Sequence, residues 1–180
     1  HNYYCFYPKI YCGDLTPVEI PKISKGSKTA NILKNIFGLD KSNLGYKEKY
    51  IFFTSVYDFE GGEPIGEFEV VQQISDLVGK DNLLIKEHPR DRRNLYRQNG
   101  FKVDENSSIP WEAIQLSGNF GDKVFITATS GSVLAGSLMS DTPVKTFYTC
   151  DLCDLNDNET AKFTVDNIKN LLSNEKFDDY

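Results

Sequence analysis

The chain has 180 residues, 39% hydrophobic and 26% charged, with a formal net charge of −6. That length suits one domain with its own core, and the composition excludes a disordered or membrane-spanning chain. The acidic balance excludes a dedicated nucleic-acid binder, which needs a basic stripe to neutralise phosphates, and no apolar run approaches the ~20 residues of a spanning helix.

The chain opens on "HNYYCFYP", without an initiator Met or the pattern of a signal peptide, and its single Met is Met139. It is therefore expected to be a piece of something longer. "NYYCFYP" reads as an edge strand or a linker, "TANILKNIFG" as a helix and "DKSNLGYKEK" as an exposed loop. Residues 1–49 are thus expected to be an irregular segment packed on, or linking to, a domain over 50–180.

From residue 50 the pattern becomes regular. Five short apolar runs predict strands over 50–56, 82–87, 101–105, 123–128 and 143–148, and their lack of polar alternation suits strands covered on both faces. Helical patterns lie between and after them. "IGEFEVVQQISDLVGK" carries Phe68, Val71, Ile74, Leu77 and Val78 at helical spacing and stops at Gly79. "IPWEAIQLSG" and "SGSVLAGSLMS" predict two more helices, and "TVDNIKNLLSN" predicts a last one with Thr164 as its N-cap. Strands alternating with helices imply right-handed crossovers, so the expected fold is α/β, a Rossmann-like parallel sheet flanked by helices.

The four cysteines say less. Cys150 and Cys153 in "CDLC" have a metal-like or redox-like spacing, but Cys5 and Cys12 do not match it and no histidine stands near. Reduced structural thiols are expected ahead of a zinc site.

Ligands of an open parallel sheet bind beyond the carboxyl ends of its strands, and three polar clusters fall there. Lys86, His88 and Arg90 follow the second predicted strand in "LLIKEHPRDRR", with Pro89 fixing the turn. His88 is the only internal histidine. Lys86 and His88, two apart on an extended segment, are expected to converge around an anion while Glu87 faces away. Read alone, His88 is either a structural histidine ordering its turn or a phosphate ligand. Glu112 in "IPWEA" either favours its helix start or accepts hydrogen bonds from the vicinal hydroxyls of a ribose. In "TATSGSV", Thr127, Thr129, Ser130 and Ser132 surround Gly131 as a strand passes into a helix. Hydroxyls and free N–H groups there make an anion site, or else cap the helix and allow tight packing. No Gly-Lys-Ser/Thr follows, so this is not a P-loop.

Together "IKEHPR", "IPWEA" and "TATSGSVLAG" resemble the C-terminal, nucleotide-sugar-binding domain of bacterial GT-B sialyltransferases, including lipooligosaccharide sialyltransferases and polysialyltransferases. The resemblance spans roughly residues 50 to 150. Its Lys-x-His-Pro element is the most specific part, while the family's adjacent serine pair is spaced here as "TSGS".

The resemblance implies one half of a GT-B glycosyltransferase. Lys86 and His88 would hold the phosphate of CMP-sialic acid, with His88 stabilising the leaving group, while Ser130 and Ser132 approach from the other side and Glu112 takes the ribose. Arg90 and Thr129 complete the expected donor-binding set. The implied reaction is inverting transfer of sialic acid to an acceptor glycan, which would be held by an N-terminal domain for which residues before 50 leave no room. Capsule or lipooligosaccharide synthesis is the expected setting, in the cytoplasm, with peripheral attachment to the inner membrane as a further expectation. No aspartate-rich motif stands beside the basic pair, so no metal and no cofactor is expected. A different nucleotide-activated donor, such as a UDP-sugar or a CDP-linked polyol phosphate, and a non-catalytic interaction module are the competing readings.

Overall fold

A computed structural model describes residues 1–5, 8–39, 44, 46–60, 62–134 and 144–174. All five predicted main strands are present, shorter than expected: β3 Tyr50–Phe53, β4 Leu83–Lys86, β5 Lys102–Val103, β6 Val124–Thr127 and β7 Lys145–Tyr148. They form one parallel sheet in the order β5-β4-β3-β6-β7. The N-terminal stretch is a strand but not an edge of this sheet. β1 (Asn2–Cys5) pairs in parallel with β2 (Thr16–Glu19) as a separate ribbon.

The side chains of the central strands divide by parity between two cores. Phe52, Leu83, Ile85, Val124 and Ile126 pack with Val70, Val71 and Ile74 of helix α2 (Glu67–Val78) and with Tyr96 of helix α3 (Leu95–Gln98). Ile51, Phe53, Leu84 and Phe125 pack instead with Trp111 and Ile114 of helix α4 (Trp111–Ser117). Helix α1 (Lys28–Phe37) lies against α4, so helices cover both faces and the strands need no polar side. The fold is an α/β domain with a five-stranded parallel sheet flanked by helices, consistent with a Rossmann-like arrangement. Among the described residues no helix is long and apolar enough to cross a membrane.

Two helix expectations need correction. In α2 the sheet-facing stripe runs through Val70, Val71 and Ile74, and Val78 takes the contact at the last turn, leaving Leu77 85% exposed. Gly79, at φ +83°, does stop the helix. The last helix, α5 (Glu159–Leu172), begins five residues before Thr164, because the Asn158 side chain already accepts the Ala161 N–H at 2.9 Å. Thr164, inside the helix, shares a 2.7 Å hydrogen bond with the Tyr57 hydroxyl. The helix expected over 130–140 is helical over 132–134, and the remainder lies outside the described residues, as does the predicted beginning of β7 at 143.

Candidate functional site

β3, β4 and β6 end side by side, with Phe53 paired in register to Lys86 on one flank and to Thr127 on the other. β3 is followed in the chain by β4 on one side, whereas β6 lies on its other side, so the order reverses here. Loops leaving such a switch point diverge and open a crevice. A cleft of about 100 Å³ occupies that position, lined by Thr54, Lys86, His88, Pro89, the 107–112 loop and the turn after β6. Of the predicted residues it brings together Lys86, His88, Glu112, Ser130 and Ser132. Thr129 is buried in the same turn without lining the cleft. Arg90 stays outside, with 61% of its side chain exposed and its guanidinium 2.8 Å from Glu60 Oε2. Pockets for drug-sized ligands run to about 300–1,000 Å³, so this space takes a phosphate-sized group rather than a whole nucleotide.

Lys86 reaches the cleft wall differently from the expectation. It shares the parity of Leu84 and so points toward the α4 side, where its ammonium sits 3.3 Å from Asp104 Oδ2 and donates to the Asn106 and Ile109 carbonyls at 2.7 and 3.3 Å. Both members of the ion pair are buried. Lys86 thus already has its anion, and the cost of placing it beside His88 is met by the protein itself. Burial lowers the Lys86 pKa, and Asp104 works against that shift. Asp104 also accepts from the Asn106 N–H at 3.0 Å and the Tyr46 hydroxyl at 3.2 Å. This knot fixes the loop that delivers Glu112.

His88 leaves the strand at its end and is tied at two points. Its N–H donates to Thr54 Oγ1 at 2.8 Å, and its ring Nδ1 accepts the Arg90 N–H at 3.2 Å. The second bond requires Nδ1 to be unprotonated, which leaves Nε2 as the proton-bearing nitrogen of the neutral ring. Burial, then the neighbouring Arg90 charge, push its pKa below the ordinary histidine value. Glu87 does not simply face away: it also lines the cleft, and its Oε1 is buried without a hydrogen-bond partner.

The turn after β6 is built around Thr127. Its hydroxyl donates to the Phe53 carbonyl at 2.8 Å and accepts the Ser130 N–H at 2.9 Å. Ser130 Oγ in turn accepts the Ser132 N–H at 3.4 Å, and the buried Thr129 Oγ1 has no partner. A Cβ at Gly131 would meet nothing within 4 Å. Tight packing is therefore not what this position serves, and a group arriving from outside can come close to the backbone.

Sequence reasoning missed the residues that hold these pieces still. Asp104 was read as part of a strand, although an acid just past a strand end, on the edge where ligands bind, is a legible signal. Glu67, to which the sequence pattern gave no role, is fully buried and accepts the Ser55 N–H with both oxygens at 3.1 and 3.0 Å, next to the Thr54 that holds His88. Its burial pushes its pKa up to about 8, against the Ser55 hydrogen bond. Asp58 caps the entry to α2 by accepting the Ile65, Glu67 and Phe68 N–H groups, and Arg93 is bound to Asp91. No disulfide joins the four cysteines, and among the described residues no group of three or more His, Cys, Asp or Glu side chains is placed to hold a metal ion.

No family model, curated protein sequence or solved structure matches this chain. The functional reading therefore rests on the motifs and the geometry of the cleft.

Proposed function

We propose that the chain is the donor-binding half of a GT-B sialyltransferase-like enzyme that takes CMP-sialic acid. The observation that carries this reading is the cleft at the switch point, where Lys86, His88, Glu112, Ser130 and Ser132 line one phosphate-sized space although they come from three separate chain segments. The phosphate would lie between His88 and the Ser130–Ser132 turn. There the Nε2–H of His88 donates to a phosphate oxygen and stabilises charge as CMP departs, an electrostatic contribution that needs no reorganisation of the site. Lys86 acts chiefly by position, because its ammonium is occupied by Asp104 and two carbonyls. Glu112 accepts from the ribose hydroxyls. The acceptor glycan and the base that deprotonates its hydroxyl would be supplied by another domain, which makes transfer a property of the two-domain enzyme.

The test is a binding comparison of CMP with cytidine for the parent and for His88→Ala. Charge-assisted hydrogen bonds contribute about 1.5–3 kcal/mol, so the variant should lose that much on CMP and little on cytidine. Equal losses would return His88 to a structural role. A folded parent with no affinity for millimolar CMP would sink the nucleotide reading, and CMP against UMP separates the sialyltransferase from an enzyme using a UDP-sugar.

A further inference from the structure

The carboxyl of Glu67, in the first turn of α2, is 0% exposed and has no ion-pair partner among the described residues. Both of its oxygens accept from the same donor, the Ser55 N–H. A carboxylate offers about four acceptor sites, so the anion is short of donors in the interior and a neutral carboxyl suits the place better. Four elements bring charged or titratable groups to it. Asp58, in the loop after β3, adds a like charge. Arg93, in the loop after β4, is the cation within reach, but its fork is spent on Asp91 and one N–H on the Asp58 carbonyl. From α3 comes Tyr96, whose hydroxyl is buried without a hydrogen-bond partner, and from the turn after β7 comes Cys153.

These groups act on one another. Burial raises the Glu67 pKa to about 8, opposed by the Ser55 hydrogen bond and reinforced by Asp58. Burial, then Glu67 and Asp58, also raise the Tyr96 hydroxyl, and the same causes push the Cys153 thiol up to about 12. Both therefore stay protonated over the range in which Glu67 titrates. The folded chain keeps the Glu67 proton from the ordinary carboxyl range up to about 8, where the unfolded chain has already released it. The stability contributed by that proton is complete at low pH and is lost as pH rises toward 8.

Ser55 directly follows Thr54, which donates its N–H to the Lys86 carbonyl at 3.1 Å and accepts the His88 N–H on Oγ1 at 2.8 Å. One dipeptide at the end of β3 thus joins the Glu67 contact to the His88 contact. We propose that Glu67 is a proton-linked positioning residue, the gain or loss of its proton being relayed through Ser55 and Thr54 to the backbone of His88. In the neutral form one oxygen holds the Ser55 N–H while the other becomes a donor toward acceptor-rich surroundings. Loss of the proton sets a second buried charge against Asp58, and the Ser55–Thr54 segment shifts to relieve it. The device is built from the packing around Glu67 and is independent of which ligand the cleft takes.

The test is a pH titration of the full chain by nuclear magnetic resonance, following the Ser55 amide and the His88 ring in the parent and in Glu67→Gln, which has the shape of the neutral carboxyl. The Ser55 amide should shift with a midpoint near 8. The His88 ring, whose own step lies below the ordinary histidine value, should show a second inflection at that same midpoint. Both inflections should vanish in Glu67→Gln. In denaturant unfolding, the unfolding constant of the parent relative to the variant should rise by up to about tenfold per pH unit between about pH 5.5 and about pH 7.5. A Ser55 amide that does not inflect, or that inflects equally in Glu67→Gln, overturns the proposal, as does an identical pH dependence of unfolding in the two chains. An inflection at Ser55 with none at His88 confines the proton to the helix start and overturns the relay. Should Glu67→Gln not fold, Asp58→Asn takes its place: removing the like charge should lower both midpoints together, and midpoints that stay in place overturn the proposal.

Discussion

The two walls of the cleft differ in how their polar groups are occupied. On the β4–β5 side most strong groups have a partner within the protein, Lys86 with Asp104 and two carbonyls, the His88 N–H with Thr54, and the Ser55 N–H with Glu67, and the buried Glu87 Oε1 is the exception. On the β6 side the turn is ordered by one residue, Thr127, while Thr129 keeps an unpartnered hydroxyl and the space over Gly131 is open. One wall is mainly a scaffold whose cation is internally neutralised, and the other hangs on a single residue and is open over Gly131. A cation in a candidate site is therefore not automatically a ligand group: its existing partners decide how much attraction remains for anything else.

The largest effect expected of this contrast comes from breaking the scaffold wall. Asp104→Ala leaves a buried ammonium unpaired and should cost about 3–5 kcal/mol in denaturant unfolding, with Lys86→Met added to it recovering part of the loss. If Asp104→Ala costs no more than a surface substitution, the ion pair is not what builds the wall.

A smaller effect is expected at the anchor of the open wall. Thr127→Val keeps the shape but removes the donor to Phe53 and leaves the Ser130 N–H without its acceptor. A loss of about 1–3 kcal/mol in stability is expected, with weaker CMP binding as the turn loosens. Loss of stability with unchanged CMP affinity would detach the turn from the phosphate.

The smallest effect on stability sharpens the comparison most. Gly131→Ala places a methyl in empty space and should change stability by less than about 0.5 kcal/mol while weakening CMP but not cytidine. Undiminished CMP affinity in this variant would mean that no ligand approaches the backbone there.

Much of this was legible in the sequence where one force dominates. Runs such as "YIFFTSV" and "KVFITA" are buried on both faces and placed the central strands, while the helices between the strands gave the parallel sheet; the outer strands β5 and β7 were also placed, although they expose alternate residues. The residues at the strand ends were found for the same reason, because topology puts them on one edge. What was not legible was direction and partnership. The parity that sends Lys86 toward Asp104 depends on where β4 stops, and a local pattern cannot show that residues 86 and 104 meet. Arg90, Arg92 and Arg93 look alike as letters; their differing pairings come from the fold. The entry to α5 was misplaced because Asn158 caps before the apolar pattern makes the helix visible.

The pairing of β3 with both β4 and β6 also sets an order of events during synthesis. Phe53 and Thr127 are bonded across 74 positions of chain, so the hydroxyl turn cannot take its place until most of the domain has left the ribosome. Until then β3 has one open edge, exposing "YIFF", a short apolar segment able to pair with a neighbouring chain. The same strand-to-turn junction that completes the cleft thereby closes this edge. A nascent chain interrupted before residue 124 should aggregate, whereas one that has released β6 should not.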